Sequence, residues 1–124
     1  MAEAIARYDA ADVIEPSSAG LAPLGQLADL TKDTLLKNGY SFSELSSAPL
    51  TPEAMQRADI IINMTGKPHE EIFGEFHKVE DWIVEDPFGS DANTYQHVFE
   101  GIQRRVHLLA DSLREARQTK KAER

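Results

Sequence analysis

The 124-residue chain contains no cysteine at all. Within these residues, this absence excludes disulfide bonds, thiolate zinc sites, iron–sulfur clusters and catalysis by a cysteine nucleophile. Long apolar runs are missing too, since none approaches the ~20 residues that a membrane-spanning helix requires. The first residues also lack the basic and apolar regions of a secretory signal. We therefore predict a cytoplasmic protein that does not bind membranes.

Basic residues are outnumbered by acidic ones. The chain has 13 Lys and Arg against 21 Asp and Glu, a net charge of −8. Residues 110–124 contain five basic and three acidic residues, so residues 1–109 carry a net charge of −10. Nucleic acids and anionic lipids are bound by clustered basic residues, which release counterions, so neither is an expected partner. We interpret the basic end of the chain as a frayed, solvated helix end; contact with an acidic partner is the alternative.

The remaining composition is that of an ordinary globular domain. Hydrophobic residues make up 41% and charged residues 27%, and the length suits a single domain over residues 1–124. Apolar residues recur at helical spacing in several segments, and apolar, β-branched runs lie between them. The pattern predicts helices over 2–10, 26–38, 52–58, 68–76 and from Tyr95 to Leu113, and strands at Val13–Ser18, 59–64 and 78–84. Strands separated by helices predict a parallel sheet with right-handed crossovers.

The loop Asp86–Gly89 follows the last predicted strand. Open α/β sheets bind ligands at the carboxyl ends of their strands, so this loop is a candidate site. Pro87 restricts Asp86 to an extended backbone, which fixes the direction of its carboxylate, and a fixed carboxylate can act as a general acid or base. Phe88 offers an aromatic wall. The alternative is a plain turn, because Asp, Pro and Gly all favour turns.

The loop Ser17–Gly20 follows the first predicted strand. Its hydroxyls and backbone N–H groups could hold an anion, and an ordinary loop is the alternative. The loop has no lysine and no Walker spacing, so no nucleotide site is predicted. The four histidines of the chain show no paired spacing. We predict neither a metal site nor a cofactor.

Several short motifs match those of one family in both order and spacing. They are Met1–Ala4, Ser18–Gly20, Pro49–Glu53 followed by Arg57–Ile61, Met64 and Thr65 with His69, and Asp86–Gly89 followed by Tyr95. Each motif is weak alone, but together they are specific. Over nearly its whole length the chain resembles the bacterial low-molecular-weight protein tyrosine phosphatases, including their protein-arginine-phosphatase branch.

The resemblance implies both a fold and a reaction. The implied fold is a flavodoxin-like α/β three-layer sandwich around a short parallel sheet, in which the family's first strand lies second from one edge. In the family, a cysteine attacks phosphorus, an aspartate protonates the leaving group, and the same aspartate then activates water against the phosphocysteine. By this resemblance Asp86 is the aspartate, Phe88 binds substrate and Ser18 supports the loop. The implied substrates are phosphotyrosine or phosphoarginine in proteins, or small phosphate esters.

The chain departs from the family pattern at its start. The family's first strand and its C-x5-R-S phosphate-binding loop precede the helix that begins here at Met1. We therefore expect the 124 residues to be inactive. A wrongly assigned start codon is the favoured explanation, and a non-catalytic, phosphatase-like module that binds a protein partner is the alternative. The arsenate-reductase branch matches less well, because its redox relay needs further thiols.

The missing strand also bears on assembly. By resemblance it lies between the strands predicted at Val13–Ser18 and Ile60–Met64, so both would lose a neighbour. Unpaired strand edges are templates for pairing with another chain. We therefore expect a homo-oligomer, a dimer or larger. Direct pairing of the two strands within one chain is the alternative.

Overall fold

The computed structural model describes residues 1–19, 29–41, 49–74, 78–85 and 90–122. Its elements in chain order are α1 Ala2–Asp9, α2 Asp29–Lys37, α3 Pro52–Arg57, β1 Ile61–Asn63, α4 His69–Phe73, β2 Val79–Asp81 and α5 Ala92–Ala122. Strands β1 and β2 pair in parallel, with Ile61 beside Val79 and Asn63 beside Asp81. Helix α4 connects them, as parallel strands require a crossover. The predicted class, an α/β fold with a short parallel sheet, is confirmed.

Helix α3 begins where its sequence signals predict. The hydroxyl of Thr51 accepts a hydrogen bond from the backbone N–H of Ala54 at 3.2 Å. Pro52 occupies the first helical position, where its missing N–H costs nothing, and Glu53 adds negative charge to the first turn. None of the six residues of α3 is buried, so the cap rather than core packing defines this helix.

Helix α2 ends at the predicted stop signal. Gly39 follows it with φ at 88°, a left-handed conformation that favours glycine. The N–H of Gly39 donates to the carbonyl of Leu36 at 3.1 Å, and the N–H of Tyr40 donates to the carbonyl of Leu35 at 2.9 Å. These two bonds form a Schellman motif, which satisfies carbonyls at the helix end. The motif also turns Tyr40 into the core.

Helix α5 is the central helix of the fold, because both α1 and α2 pack against it. Ile5 of α1, Leu35 of α2 and Phe99 of α5 are the largest fully buried side chains in the described ranges. The ring of Tyr40 meets Phe99 edge-on, with centroids 5.6 Å apart. Trp82, directly after β2, joins the same cluster. The core therefore connects the helices to the end of the sheet.

Polar contacts fasten the second half of α5 to the end of α1. The guanidinium of Arg114 contacts both carboxylate oxygens of Asp12, at 2.8 and 2.9 Å, and lowers the pKa of Asp12 to about 2. Arg117 donates to the backbone carbonyl of Asp12 at 3.0 Å, and His107 lies 2.8 Å from the carboxylate of Asp9. Helix α5 therefore has partners as far as Arg117, and the frayed end expected beyond that residue stays a prediction.

Helix α5 spans 31 residues. Neither it nor any other helix in the described part of the chain combines the length and the apolar character needed to cross a membrane.

The predicted strand at Val13–Ser18 is wrong. A turn follows α1 instead, in which the N–H groups of Val13 and Ile14 both donate to the carbonyl of Ala10, at 3.1 and 2.8 Å. Residues 14–19 are irregular. A strand needs ladder hydrogen bonds, and within the described residues β1 and β2 pair only with each other. Direct pairing of this segment with β1 is therefore not formed, and Pro16 lacks one of the donors that it would need.

Candidate functional site

The carboxyl ends of β1 and β2 lie side by side and carry polar side chains. Asn63 ends β1 and Asp81 ends β2, and the two are directly paired in the register. The Nδ2 group of Asn63 donates to Oδ1 of Asp81 at 2.9 Å. The next backbone N–H, that of Trp82, donates to the Asn63 carbonyl at 2.9 Å. This edge is where open α/β sheets bind their ligands.

Asn63 is buried, with 3% of its surface exposed, and its amide is fully used. Its Nδ2 group also donates to the carbonyl of Lys67 at 2.8 Å. Its Oδ1 atom accepts from the N–H of Thr65 at 3.1 Å and from the Thr65 hydroxyl at 2.7 Å. Gly66, with φ at 80°, lets the chain close this turn. A buried amide needs such partners, and here they fix the turn that leads into α4.

His69, the first residue of α4, completes the cluster. Its Nδ1 atom lies 2.8 Å from Oδ2 of Asp81, and its Nε2 atom lies 3.2 Å from Oε1 of Glu70. The hydrogen bond to Asp81 raises the pKa of His69 above its ordinary value of 6.5. The same bond, with that from Asn63, lowers the pKa of Asp81. The strand edge therefore carries a partly exposed histidine–carboxylate pair that holds a proton at Nδ1.

The segment that leaves β2 is held in place from the side of α5. Trp82 is buried, and the guanidinium of Arg105 lies 6.0 Å from the centre of its ring. Arg105 also donates to the backbone carbonyl of Ile83 at 3.2 Å. Val84 packs against the core, whereas the side chain of Ile83 is 87% exposed. The chain therefore leaves the sheet along a defined path as far as Val84.

Of the three site residues predicted from the sequence, the structure describes one. Ser18 is exposed, and its hydroxyl donates to Oε1 of Glu3 at 2.6 Å. The other carboxylate oxygen of Glu3 accepts from Arg7 at 2.7 Å. Ser18 thus ties the irregular segment to the first turn of α1. Asp86 and Phe88 lie outside the described residues, and the roles of all three stay predictions.

Sequence reasoning missed the cluster of Asn63, Asp81 and His69. A signal for part of it was present, because Asn63 lies near the end of a predicted strand, whereas Asp81 lies inside the strand predicted over 78–84. His69 belongs to one of the motifs that match the family, but its spacing to Asp81 gave no signal that the two residues are in contact. Within the described ranges, no group of three or more His, Asp and Glu side chains is arranged to hold a metal ion.

A shallow groove of about 400 Å³ lies elsewhere, between residues 11–15 and the second half of α5. Leu113 and Arg117 line its α5 side. The groove shares no residue with the cluster at the strand ends. Asp12 on one wall contacts Arg114 and Arg117 on the other. The groove therefore marks the line along which residues 11–15 pack against α5.

One family model matches residues 1–119, that of the low molecular weight phosphotyrosine protein phosphatases. The match spans all seven helices and strands described above as far as residue 119. The chain therefore belongs to this family, and the resemblance drawn from its motifs is confirmed.

Solved structures of similar proteins agree with this assignment. A mutant of YwlE arginine phosphatase with a phosphorylated active-site serine has a TM-score of 0.82 at 25% identity, over 94% of this chain and 88% of that one. A low molecular weight protein tyrosine phosphatase from T. tengcongensis has a TM-score of 0.81 over 90% of this chain and 88% of its own. At 20% identity, the latter shows likeness of fold alone.

Arsenate reductases are also among the similar proteins. A protein of Halobacterium salinarum, provisionally named arsenate reductase, is 25% identical over 105 residues, 85% of this chain and 73% of its own length. A solved arsenate reductase in the reduced state has a TM-score of 0.73 at 25% identity, over 90% of this chain and 86% of that one. This chain is thus similar to proteins of two named activities.

Proposed function

We propose that this chain is the scaffold of a cytoplasmic phosphatase that hydrolyses phosphotyrosine or phosphoarginine in proteins. Asp86 is its general acid and base. The observation that carries the proposal is the family match over residues 1–119. It is supported by the Asp86–Gly89 sequence, which begins five residues after the end of β2.

In the proposed reaction, a cysteine thiolate from outside these 124 residues attacks phosphorus, and the bond from phosphorus to the leaving oxygen or nitrogen breaks. Asp86 gives its proton to the leaving group. Water then attacks the phosphocysteine, Asp86 takes a proton from that water, and the phosphorus–sulfur bond breaks to release phosphate. Phe88 lines the substrate pocket and Ser18 supports the phosphate-binding loop.

The path of the chain beyond β2 supports this role for Asp86. Arg105 and the buried Trp82 fix the segment as far as Val84, two residues before Asp86. A group that transfers protons works best when its backbone starts from a rigid element. The carboxyl edge of the sheet is such a starting point.

We further propose that these 124 residues do not hydrolyse phosphate esters by themselves. They contain no cysteine, and the acidic Glu80, Asp81 and Glu85 repel a phosphate dianion that no arginine clamps. The same absence favours a second candidate, a non-catalytic module that binds a protein partner. Reduction of arsenate is a weaker candidate, because its redox relay requires several thiols and these 124 residues contain no cysteine.

The test compares this chain with a longer one that carries the family's strand and C-x5-R-S loop ahead of Met1. The 124-residue chain should show no turnover of p-nitrophenyl phosphate above background. In the longer chain, Asp86→Asn should lower turnover of a substrate with a basic leaving group by roughly 10²–10⁴-fold, and turnover of p-nitrophenyl phosphate much less. Phe88→Ala should mainly raise KM.

Asp59, exposed at the amino end of β1, provides the matched control, since Asp59→Asn should leave both rates unchanged. Equal, small losses on the two substrates for Asp86→Asn would make Asp86 a turn residue only. Turnover by the 124-residue chain that survives further purification would overturn the proposed need for an external cysteine. An inactive longer chain that still binds a protein would favour the second candidate.

A further inference from the structure

The turn that ends α2 contains an asparagine followed directly by a glycine, Asn38 and Gly39. In such a pair the backbone nitrogen of the glycine can attack the Cγ atom of the asparagine, because glycine has no side chain to shield it. The attack expels ammonia and closes a succinimide ring. Water then opens the ring at either carbonyl, which leaves aspartate or isoaspartate. The reaction needs no enzyme and no reactant other than water.

Water can reach this pair. Asn38 is half-buried and Gly39 is exposed. A Cβ atom placed on Gly39 would lie in open space, with no atom from beyond its chain neighbours within 4 Å. The other two asparagines of the chain, Asn63 and Asn93, precede methionine and threonine, whose side chains shield the attacking nitrogen. Asn38 is therefore the asparagine best placed to react.

The folded protein engages both reacting groups in hydrogen bonds. Nδ2 of Asn38 donates to the carbonyl of Thr34 at 2.7 Å and to Oε1 of Gln96 at 2.8 Å. Nε2 of Gln96 donates back to Oδ1 of Asn38 at 3.2 Å. The N–H of Gly39 donates to the carbonyl of Leu36 at 3.1 Å. The amide that must leave and the nitrogen that must attack are thus both held in other contacts.

We propose that Asn38 is a deamidation site that these hydrogen bonds protect and that reacts when the end of α2 opens. Aspartate has no donor for the carbonyl of Thr34, and it places negative charge at a helix C-terminus, where the dipole disfavours it. Isoaspartate adds one methylene group to the backbone before Gly39, so the two Schellman bonds cannot both form again. Tyr40 then loses its fixed position against Phe99. The reaction therefore makes a transient opening of this helix end permanent.

Peptide mass spectrometry of the 124-residue protein tests the site. Samples are held at mildly alkaline pH, one folded and one in guanidinium chloride. In denaturant, Asn38 should convert before Asn63 and Asn93, and Gly39→Ala should slow its conversion. In the folded protein, conversion should be slower by roughly tenfold or more, because local opening must come first. Another asparagine that converts first in denaturant, or equal rates for Asn38 with and without denaturant, overturns the proposal.

Removal of the partner on α5 tests the protection. Gln96→Ala leaves the Asn38–Gly39 sequence intact, so conversion should rise several-fold in the folded protein and stay unchanged in denaturant. Gln56→Ala, the same truncation at an exposed position of α3, is the matched control and should react as wild type. Circular dichroism checks folding, and Gln96→Glu, which keeps the acceptor for Nδ2, serves if the alanine variant does not fold. Equal rates for the variants at positions 96 and 56 contradict the protection.

The deamidated fraction, separated by ion exchange, tests the consequence. Its Tyr40 amide, which in the intact protein donates to the carbonyl of Leu35 at 2.9 Å, should exchange hydrogen several-fold faster than in the unmodified fraction. The Ile61 amide, bonded to Lys78 in the sheet, is the internal control and should exchange equally in both. Equal exchange at Tyr40 in the two fractions would show that the helix end closes again, against the proposal.

Discussion

At the residue scale, Asp81 is the side chain on which two elements converge. One of its carboxylate oxygens accepts from Asn63 of β1, and the other lies against His69, the first residue of α4. The three residues come from separate points in the chain, yet they form one continuous set of hydrogen bonds. A change in the charge of His69 therefore alters the hydrogen bonds at the ends of both strands.

Replacing His69 with glutamine should remove a pH-dependent part of the stability. Because its pKa is raised above 6.5, protonated His69 stabilises the fold fully below pH 6.5, and this is lost as the pH rises through the raised pKa. Because the pKa of Asp81 is lowered below 3.8, its contribution is present above pH 3.8 and is lost as the pH falls through the lowered pKa. Urea unfolding should therefore separate wild type from His69→Gln most between these two values.

Asp81→Asn provides the control for that comparison, because it removes the partner of His69. In that background, adding His69→Gln should no longer change the unfolding free energy between these two pH values. If His69→Gln lowers the unfolding free energy by the same amount at every pH, the pair with Asp81 does not contribute through its charge.

The sequence predicts the positions of some residues in this cluster and not of others. The β-branched run before Asn63 places that residue near the end of its strand, but the strand predicted over 78–84 places Asp81 in its middle, whereas β2 ends at Asp81. The position of His69 depends instead on a turn at Gly66 that is closed by a buried amide, and no periodicity reports such a turn. The catalytic role of Asp86 is predicted from motif resemblance alone.

At the element scale, helices with their own start and stop signals were predictable. Thr51 and Pro52 begin α3, and Asn38 with Gly39 ends α2, because caps act on the residues beside them. The segment Val13–Ser18 has the composition of a strand but not the structure of one. Whether this segment forms a strand depends on a second segment that pairs with it. The sequence of one segment does not show which neighbour it will have.

The cap of α3 should decide whether that helix persists. Thr51→Ala removes the acceptor for the Ala54 N–H and should cost about 1 kcal/mol. Since α3 buries no residue, we expect local opening, seen as faster exchange of the Met55 and Ala58 amides with little change in global unfolding. Thr51→Ser keeps the hydroxyl and should exchange as the wild type does. Unchanged exchange in the alanine variant would show that the cap is dispensable.

At the scale of the whole molecule, α5 carries the core. Its apolar stripe, which includes Val98, Phe99, Ile102 and Val106, is predicted from the sequence and is buried in the structure. Its polar contacts with Asp9 and Asp12 are not predicted, because they join residues about a hundred positions apart. Periodicity reveals which face of a helix is buried but not which element covers it.

Loss of one core ring should weaken the entire fold. Phe99 is 1% exposed and contacts Tyr40, so Phe99→Ala should cost about 3–5 kcal/mol. That is a large part of a typical total stability of ~5–15 kcal/mol. Leu108→Ala, at a position that is 64% exposed on the same helix, should change stability by less than about 1 kcal/mol. Equal losses, measured by urea unfolding, would contradict the assigned core.

Trp82 is the single tryptophan of the chain, and it lies beneath Arg105 one residue beyond Asp81. Its indole, at the end of β2, can therefore be excited apart from the three tyrosines. Emission from a buried ring shifts to the red when water reaches it. The protein thus carries a built-in optical probe, and stopped-flow fluorescence can follow the loosening of this strand end in real time without a label.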